Sequence, residues 1–442
     1  MGENTFRVIV VGGGPIGLIL GHILTAAKID FVILERNAEI VQYRGALIIL
    51  MPPVLRLLHQ LGLYQRMEDF GTRCTGKTEM LSDGQPLSAA PNFEMLEDSF
   101  GYMTKASSRA EFIQFLYENL PDRDLRVRTR AEINDIETLN DGVRVHLTSG
   151  DIVHGSLVIG SDGVHSKTRD IIQRLNHETL GDGGGNPVRP MVTSVQSVIG
   201  RTAFTDDRMG LGYFWETHAR GKAIQMMRLK DATYFGLYDR LPEATRERKR
   251  FTTEEMEQVA QDFGDTVLSP GVRFKDLWRS RDCENAILVH QEEGLLDKWY
   301  HGRIAVVGEA VCKLTSATGL GVYSGASMAV VLANRLVKLL SEDPNPSDGK
   351  VEDMLAQYQD NRKEEAESLC TVGKTVTRFM IWEGPDDEAV DRSTPGRLKQ
   401  SVEERGIPAM ARGQLLDFIP FEGHKGKVPW VVSGVPNDAA QV

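Results

Sequence analysis

Cysteine is scarce: 442 residues carry four thiols, Cys74, Cys283, Cys312 and Cys370. They stand far apart with no metal-ligand spacing, which argues against a zinc site and suits a reducing compartment. Long apolar runs are missing as well. Residues 6–34 are apolar, but Gly12, Gly13, Gly14 and Pro15 interrupt them. No cationic stretch precedes an apolar signal core, and no run reaches the roughly 18 residues that a membrane span needs. Positive charge is not in excess. The formal net charge is −11, which argues against a general nucleic-acid footprint. Repeats and low-complexity tracts are absent. A cytoplasmic protein with no membrane span and no nucleic-acid partner is expected.

What is present is a folded composition, 41% hydrophobic and 26% charged. The length exceeds one ordinary core and points to two or three domains. Phe6 to Val11 is a short β-rich run of the kind found in buried parallel strands. Gly12 to Pro15 reads as a tight turn, Ile16 to Ala27 as a closely packed helix, and Phe31 to Leu34 as a second strand. Together they form one βαβ unit. Residues 52–61 read as a helix ended by Gly62. Ser108 is a candidate N-cap, with Glu111 three residues on. Short strands follow at 125–128, 132–137, 143–147 and 152–159, joined by hairpin turns at 140–142 and 149–151. A glycine-rich loop at 181–186 marks a break. Residues 191–280, rich in β patterns and aromatics, read as a second sheet. Residues 303–307 return to buried-strand composition, residues 322–341 read as a helix, and the chain from about 350 is helical and charged.

The first turn carries Gly12-x-Gly14-x-x-Gly17 between strand and helix. The first glycine permits the turn, the second lets backbone approach a pyrophosphate, and the third lets helix and strand pack closely. Phosphates then meet free N–H groups at the helix start. Glu35 follows Gly14 by 21 positions, at the end of the second strand, where a carboxylate takes ribose hydroxyls. The bland alternative is a βα turn without a ligand. Strand, helix, second strand and acid all standing in register favour the dinucleotide.

Three further segments carry a resemblance to a known family. They are Arg44-Gly45-Ala46 with the helix after it, Ser108-Arg109-Ala110-Glu111-Phe112, and the run Val158 to Arg169 built around Asp162-Gly163. With the first turn, they resemble the group A FAD-dependent monooxygenases, the aromatic-hydroxylase-like flavoproteins. The chain looks most similar to fungal members acting on terpenoid, meroterpenoid and other secondary metabolites. The resemblance runs from about residue 6 to 380, and the tail Leu416 to Phe421 shares it. It implies an α/β fold: a Rossmann-like FAD-binding domain, a second, mostly β substrate domain and a helical C-terminal region. The expected division is 1–72, 98–187 and 282–345 for the composite cofactor domain, 73–97 and 188–281 for the substrate sheet, and 346–442 for the C-terminal region and tail. Carried onto this chain, the cofactor contacts are Gly12, Gly14, Gly17, Glu35, Arg36, Arg44, Arg109, Asp162, Gly163, Glu309, Gly319 and Gly321.

The family's next fingerprint is altered here. It reads roughly Gly-Asp-Ala-x-His, a proline, Gly-x-Gly-x-Asn, then Glu-Asp. This chain has Glu309 for the aspartate, Cys312 for the histidine, Ser316 for the proline, Tyr323 for the asparagine and Ser327-Met328 for the final pair. Glu309 keeps the acceptor but is one methylene longer. Ser316 restores an N–H and frees φ. Tyr323 is expected to crowd or stack near the flavin ring. Cys312 is expected to be a buried, inert thiol.

The leading expectation is hydroxylation or epoxidation of an apolar small molecule through a flavin C4a-hydroperoxide, with FAD as cofactor and NAD(P)H as electron donor. The alternative is a redox-neutral cyclase or isomerase on the same scaffold, with FAD structural or absent. A non-enzymatic binding protein is a third class. Weak catalytic candidates are Glu309, Tyr323 and His290, with His301 and Asp239 behind them. Tyr213, Trp215, Met227 and Phe235 are the expected substrate contacts, with Phe214, Met226 and Tyr234 as neighbours on the same strands.

Overall fold

The protein is described by a computed structural model covering residues 6–42, 47–67, 69–180, 186–187 and 189–431. The first strand, Arg7–Val11, is buried along four of its five residues. It pairs in parallel with Asp30–Leu34 on one side and Leu157–Gly160 on the other. Val127–Arg128 and Ile304–Val306 extend this sheet in parallel, and Tyr300–His301 closes one edge antiparallel. A strand covered on both faces needs no polar alternation, which is why Arg-Val-Ile-Val-Val reads as a continuous apolar run. The chain leaves the first strand to one side and returns on the other. The crevice beyond the carboxyl ends of Arg7–Val11 and Leu157–Gly160 is therefore the topological switch point, where ligands bind in such sheets.

The helix Pro15–Ala26 starts at that point, with Pro15 in its first turn. The helix Arg109–Glu118 is capped as expected, Glu111 N donating to Ser108 Oγ at 3.0 Å. The expected strand 152–159 is two strands. Ile152–Gly155 closes a meander with Gly142–Leu147 and Ile133–Leu139, and Leu157–Gly160 enters the parallel sheet. The burial pattern switches between them from half-exposed to fully buried. Ser156 is the joint: its N–H donates to Arg7 O at 2.7 Å, and its hydroxyl accepts from Arg7 N at 3.1 Å.

The second sheet has eight strands in the order Cys312–Lys313, Ile287–Leu295, Val192–Thr202, Thr233–Thr245, Lys222–Arg228, Phe214–Ala219, Lys77–Leu81 and Pro86–Ala90. The sequence-based division places the first two with the cofactor domain. Their pairing puts them in the large sheet instead, and the broken burial pattern of Ile287–Leu295 is that of a one-faced strand. The far face of this sheet packs Val198, Met226, Phe235 and Leu237 against Phe274, Leu277 and Trp278. On the near face Phe214, Met227 and Tyr234 join the core shared with the parallel sheet.

Beyond Gly321–Glu342 comes the 33-residue helix Asp348–Met380 packed against it, then short helices to Met410. The tail is tied back to the body. Gln60 Nε2 donates to Leu416 O and Ile419 O, both at 2.8 Å, and Arg56 lies 4.2 Å over the Trp430 ring. Among the described residues no helix is long and apolar enough to cross a membrane.

Candidate cofactor and substrate site

The crevice is a cleft of about 670 Å³ whose walls include Gly12, Gly14, Pro15, Glu35, Arg36, Arg109, Asp162, Gly163, Glu309, Gly319 and Gly321. Positions from residue 12 to residue 321 thus meet in one space. Gly12 has φ +105°, and a Cβ there would stand 2.8 Å from Ser161 O. A Cβ on Gly17 would stand 1.9 Å from Gly12 O, so only glycine fits. Gly17 serves packing and does not itself line the cleft. Gly14 is different. The nearest atom to its imagined Cβ is Arg109 Nη2 at 3.6 Å, so its exposed side is open to a ligand.

No side chain caps the helix Pro15–Ala26. Its first N–H groups therefore face the cleft with the positive end of the helix dipole. Arg109 stands over this turn, and its guanidinium makes no hydrogen bond or ion pair with any described residue. Burial lowers its pKa, while the charges of Glu309 and Glu35 oppose that. An unpaired cation beside an uncapped helix start fits the pyrophosphate of a dinucleotide. Glu35 is already engaged: Oε2 accepts from Gly13 N at 2.8 Å, and Oε1 accepts from Asn37 N at 2.9 Å and Nδ2 at 2.6 Å. That fixes the carboxylate at the strand end, facing the cleft.

Asp162 departs from its expected role. Its carboxylate turns inward, accepting from Ser166 Oγ at 2.5 Å and from Thr168 N and Oγ1 at 3.0 Å. It caps the helix Lys167–Leu180, and burial raises its pKa despite these donors. What Asp162 and Gly163 (φ +78°) offer at the cleft wall is therefore backbone. Arg44, with Gly45 and Ala46, lies outside the described residues.

At the other end of the cleft stand Gly308, Glu309, Lys313, Leu314, Thr315, Ser316 and Gly319. Glu309 pairs with Lys313 Nζ. Desolvation opposes its charge, but Lys313, Arg109 and His165 outweigh that and hold its pKa below the usual carboxylate value. Glu309 Oε1 lies 3.8 Å from the Cβ position of Gly321, at the start of the helix Gly321–Glu342, where a negative charge is favoured.

Tyr323 does not crowd this seat. It is 4% exposed, on the helix face turned from the cleft, and donates to Glu365 Oε1 at 3.0 Å. The helix explains this: Gly321 and Val322 face the cleft, and a residue about 100° further round the axis faces the neighbouring helix. His290 is also outside the cleft, edge-on to Phe251 at 5.0 Å. His301 pairs with Asn176 Oδ1 at 2.8 Å, and Asp239 accepts from Gln196 at 2.9 Å, both away from the cleft walls. Of the catalytic candidates only Glu309 is in place. Cys312 is buried against Cys370, the two free sulfurs 2.9 Å apart, and the hydrogen bond with that neighbour, followed by burial, raises its pKa.

A smaller annex opens between the cleft and the large sheet. It shares Leu47, Ile49, Ser316 and Gly319 with the cleft and adds Ile199, Phe214, Gln225, Met227, Tyr234 and Tyr238. Of the expected substrate contacts, Met227 faces it. Trp215 and Tyr213 do not: Trp215 Nε1 donates to Met209 O at 2.6 Å, and the Tyr213 hydroxyl bonds Thr78 Oγ1 at 2.9 Å. Phe235 also lines the annex, although its ring is set edge-on against Phe274 on the far face. Strand parity is the cause. Phe214, Met227 and Tyr234 occupy one face in register, which turns Trp215, Met226 and Phe235 to the other. Sequence reasoning does not single out Tyr238, Gln225 or Lys313; for Tyr238 the signal is its four-residue step from Tyr234 on the same strand.

A second polar cluster lies deeper, under the large sheet. His218, 1% exposed, has Nδ1 2.6 Å from Asp391 Oδ2 and Nε2 2.8 Å from Glu216 Oε1. Lys77 reaches Glu216 and Glu79, and Arg397 reaches Glu79 and Asp391. Glu79, Glu216 and His218 are close enough to hold a metal ion. The chain's own Lys77, Arg397 and imidazolium already balance the three carboxylates, so the cluster needs no further cation. Burial disfavours charge on His218, but its two carboxylate partners prevail and raise its pKa to about 9.

The family model described as FAD binding domain matches residues 5–372. The chain is 34% identical to the FAD-dependent monooxygenase srdH of Neurospora crassa, over 96% of this chain and 98% of that protein. It is 30% identical to the FAD-dependent monooxygenase DEP2 of Alternaria brassicicola, over 97% and 82%. Among solved structures, HpxO of Klebsiella pneumoniae complexed with FAD and uric acid superposes with a TM-score of 0.74 at 19% identity, covering 91% of this chain and 97% of that one. A salicylate hydroxylase substrate complex gives 0.70 at 16%, over 96% and 100%. The structural likenesses support the fold.

Proposed function

The chain belongs to the FAD binding domain family, and from that membership and the cleft we propose an FAD-dependent monooxygenase that hydroxylates or epoxidises an apolar small molecule of secondary metabolism. The observation that carries this reading is the continuity of the dinucleotide cleft with an apolar annex through Ser316 and Gly319. Bound FAD, reduced by NAD(P)H, supplies the activation of O₂ for transfer of one oxygen atom to a substrate carbon.

The chain's own residues do the holding and shielding. The turn Gly12–Gly17 and Arg109 take the pyrophosphate, Glu35 the ribose hydroxyls, and Glu309 the polar chain leading to the ring. Gly319 and Ser316 border the ring's seat. Leu47, Ile49, Phe214, Met227 and Tyr234 exclude water from the annex. A redox-neutral cyclisation on this scaffold draws no support from Tyr323 or His290, which face away from the cleft.

Two outcomes test this. With FAD-loaded protein and terpenoid or aromatic test substrates, product formation is expected to require both O₂ and NAD(P)H. Turnover that persists under argon without NAD(P)H contradicts the proposal. Arg109→Met is expected to weaken FAD binding about tenfold or more, because a charge-assisted contact to phosphate is lost; equilibrium dialysis reads this directly, and unchanged affinity removes Arg109 from the site.

A further inference from the structure

The polar atoms at the inner end of the annex form a chain whose direction is fixed. Glu216 anchors it, buried at 2% exposure and ionised between Lys77 and His218. Gln225 Nε2 donates to Glu216 Oε2 at 2.6 Å and to Ala317 O at 2.8 Å. Both partners only accept, so the amide is oriented by chemistry: both its N–H groups are spent there, and Oε1 points the other way. The Tyr238 hydroxyl donates its single proton to that Oε1 at 3.0 Å. Ser316 Oγ lies 3.0 Å from the same hydroxyl. Since Tyr238 has no second proton, Ser316 is the donor of that bond. The Ser316 N–H is also committed, to Gln291 Oε1 at 3.0 Å.

From Glu216 outward every proton points inward. What Ser316 Oγ and Tyr238 Oη can present to the annex is lone pairs. We infer that this end of the annex is a hydrogen-bond acceptor site, and that the substrate enters with a hydroxyl or N–H group leading, donated to Ser316 Oγ or Tyr238 Oη. Leu47, Ile49, Ile199, Phe214 and Met227 line most of the rest, with Thr318 and Tyr234 among them, so the group arrives on a mainly apolar skeleton. A carbonyl or methyl ether at the same place meets lone pair with lone pair, unless the Ser316 proton swings away and breaks its bond to Tyr238. Ser316 and Tyr238 are thus specificity-determining residues, and Gln225 is a positioning residue acting through them.

The inference rests on the annex being the substrate end of the cleft, as proposed above. Titration calorimetry with the full-length, FAD-supplemented protein tests it without relying on a flavin signal. The probes are p-cresol and 2-naphthol, each against its own methyl ether. Each hydroxyl compound is expected to bind about tenfold tighter than its ether, the effect of one hydrogen bond at a buried site. Tyr238→Phe and, independently, Ser316→Ala are expected to reduce that preference to about threefold or less while leaving affinity for the ethers within about twofold. Equal or tighter binding of the ethers, binding of neither hydroxyl compound, or a preference that survives both substitutions overturns the acceptor site. The flavin content of the same samples is read separately by absorbance, so a colourless protein counts against the oxygenase and not against the annex.

Discussion

Gly17→Ala is expected to leave little folded protein and no retained flavin. The added Cβ would stand 1.9 Å from Gly12 O and 2.8 Å from Ser161 Oγ. Relief requires the helix Pro15–Ala26 to move off the strand Arg7–Val11, and that interface is closed by Val10, Leu18 and Ile19, all essentially buried. Overpacking of an ordinary core site costs about 1–3 kcal/mol, and a 1.9 Å approach to the Gly12 carbonyl, a backbone atom that cannot rotate aside, exceeds that range. Gly14→Ala is the matched control. Its Cβ meets nothing nearer than 3.6 Å, so it is expected to melt like the wild type yet bind FAD weakly, because the backbone can no longer approach the phosphates. Thermal melting and flavin content of the two variants separate packing from binding. Wild-type flavin content in Gly17→Ala would refute the steric argument, and in Gly14→Ala the placement of the pyrophosphate.

His218→Leu is expected to destabilise the fold by about 3–5 kcal/mol, because Glu216 and Asp391 are left buried without the cation between them. The wild type should show the same dependence through pH. The folded pKa of His218, about 9, lies above its ordinary 6.5. Its stabilisation is therefore complete below pH 6.5 and is lost as pH rises through 9. At about 1.4 kcal/mol for each tenfold change in proton affinity, the full effect is on the order of 3 kcal/mol. Lys77, raised by Glu216 and Glu79 against its burial, holds its charge through this window. Buried thiols that resist ionisation also lower stability above about pH 9, so the difference between wild type and His218→Leu isolates the histidine. Urea midpoints at about pH 6.5 and 9.5, on either side of the folded value, measure it. A difference between the two proteins that stays constant over this range contradicts the imidazolium.

The cofactor half of the molecule is legible in the sequence because its rules are local. A strand, three glycines and an acid at fixed spacing specify one turn, and the structure places Gly12, Gly14 and Glu35 around one cleft. The role of Asp162 is less legible. A motif marks where the chain passes, but its carboxylate is used to cap the helix Lys167–Leu180, which spacing does not reveal. The substrate half depends on which face of each strand turns inward. A one-residue choice of parity reverses every side chain, and that choice sends Trp215 and Phe235 to the far core while Met227 and Tyr238 face the annex. Tyr323 fails for the helical version of the same reason. The cluster of Lys77, Glu79, Glu216, His218, Asp391 and Arg397 joins residues as far apart in the chain as Glu79 and Arg397, so no local pattern announces it.

The central claim is that the cleft from Gly12 to Gly319 seats FAD with its ring beside Ser316. The most direct measurement is the visible absorption spectrum of the purified protein, before and after FAD is added and excess removed by desalting. A flavin band that persists, and that shifts on Ser316→Ala, is the predicted result. A protein that stays colourless after loading contradicts the claim and the oxygenase chemistry built on it.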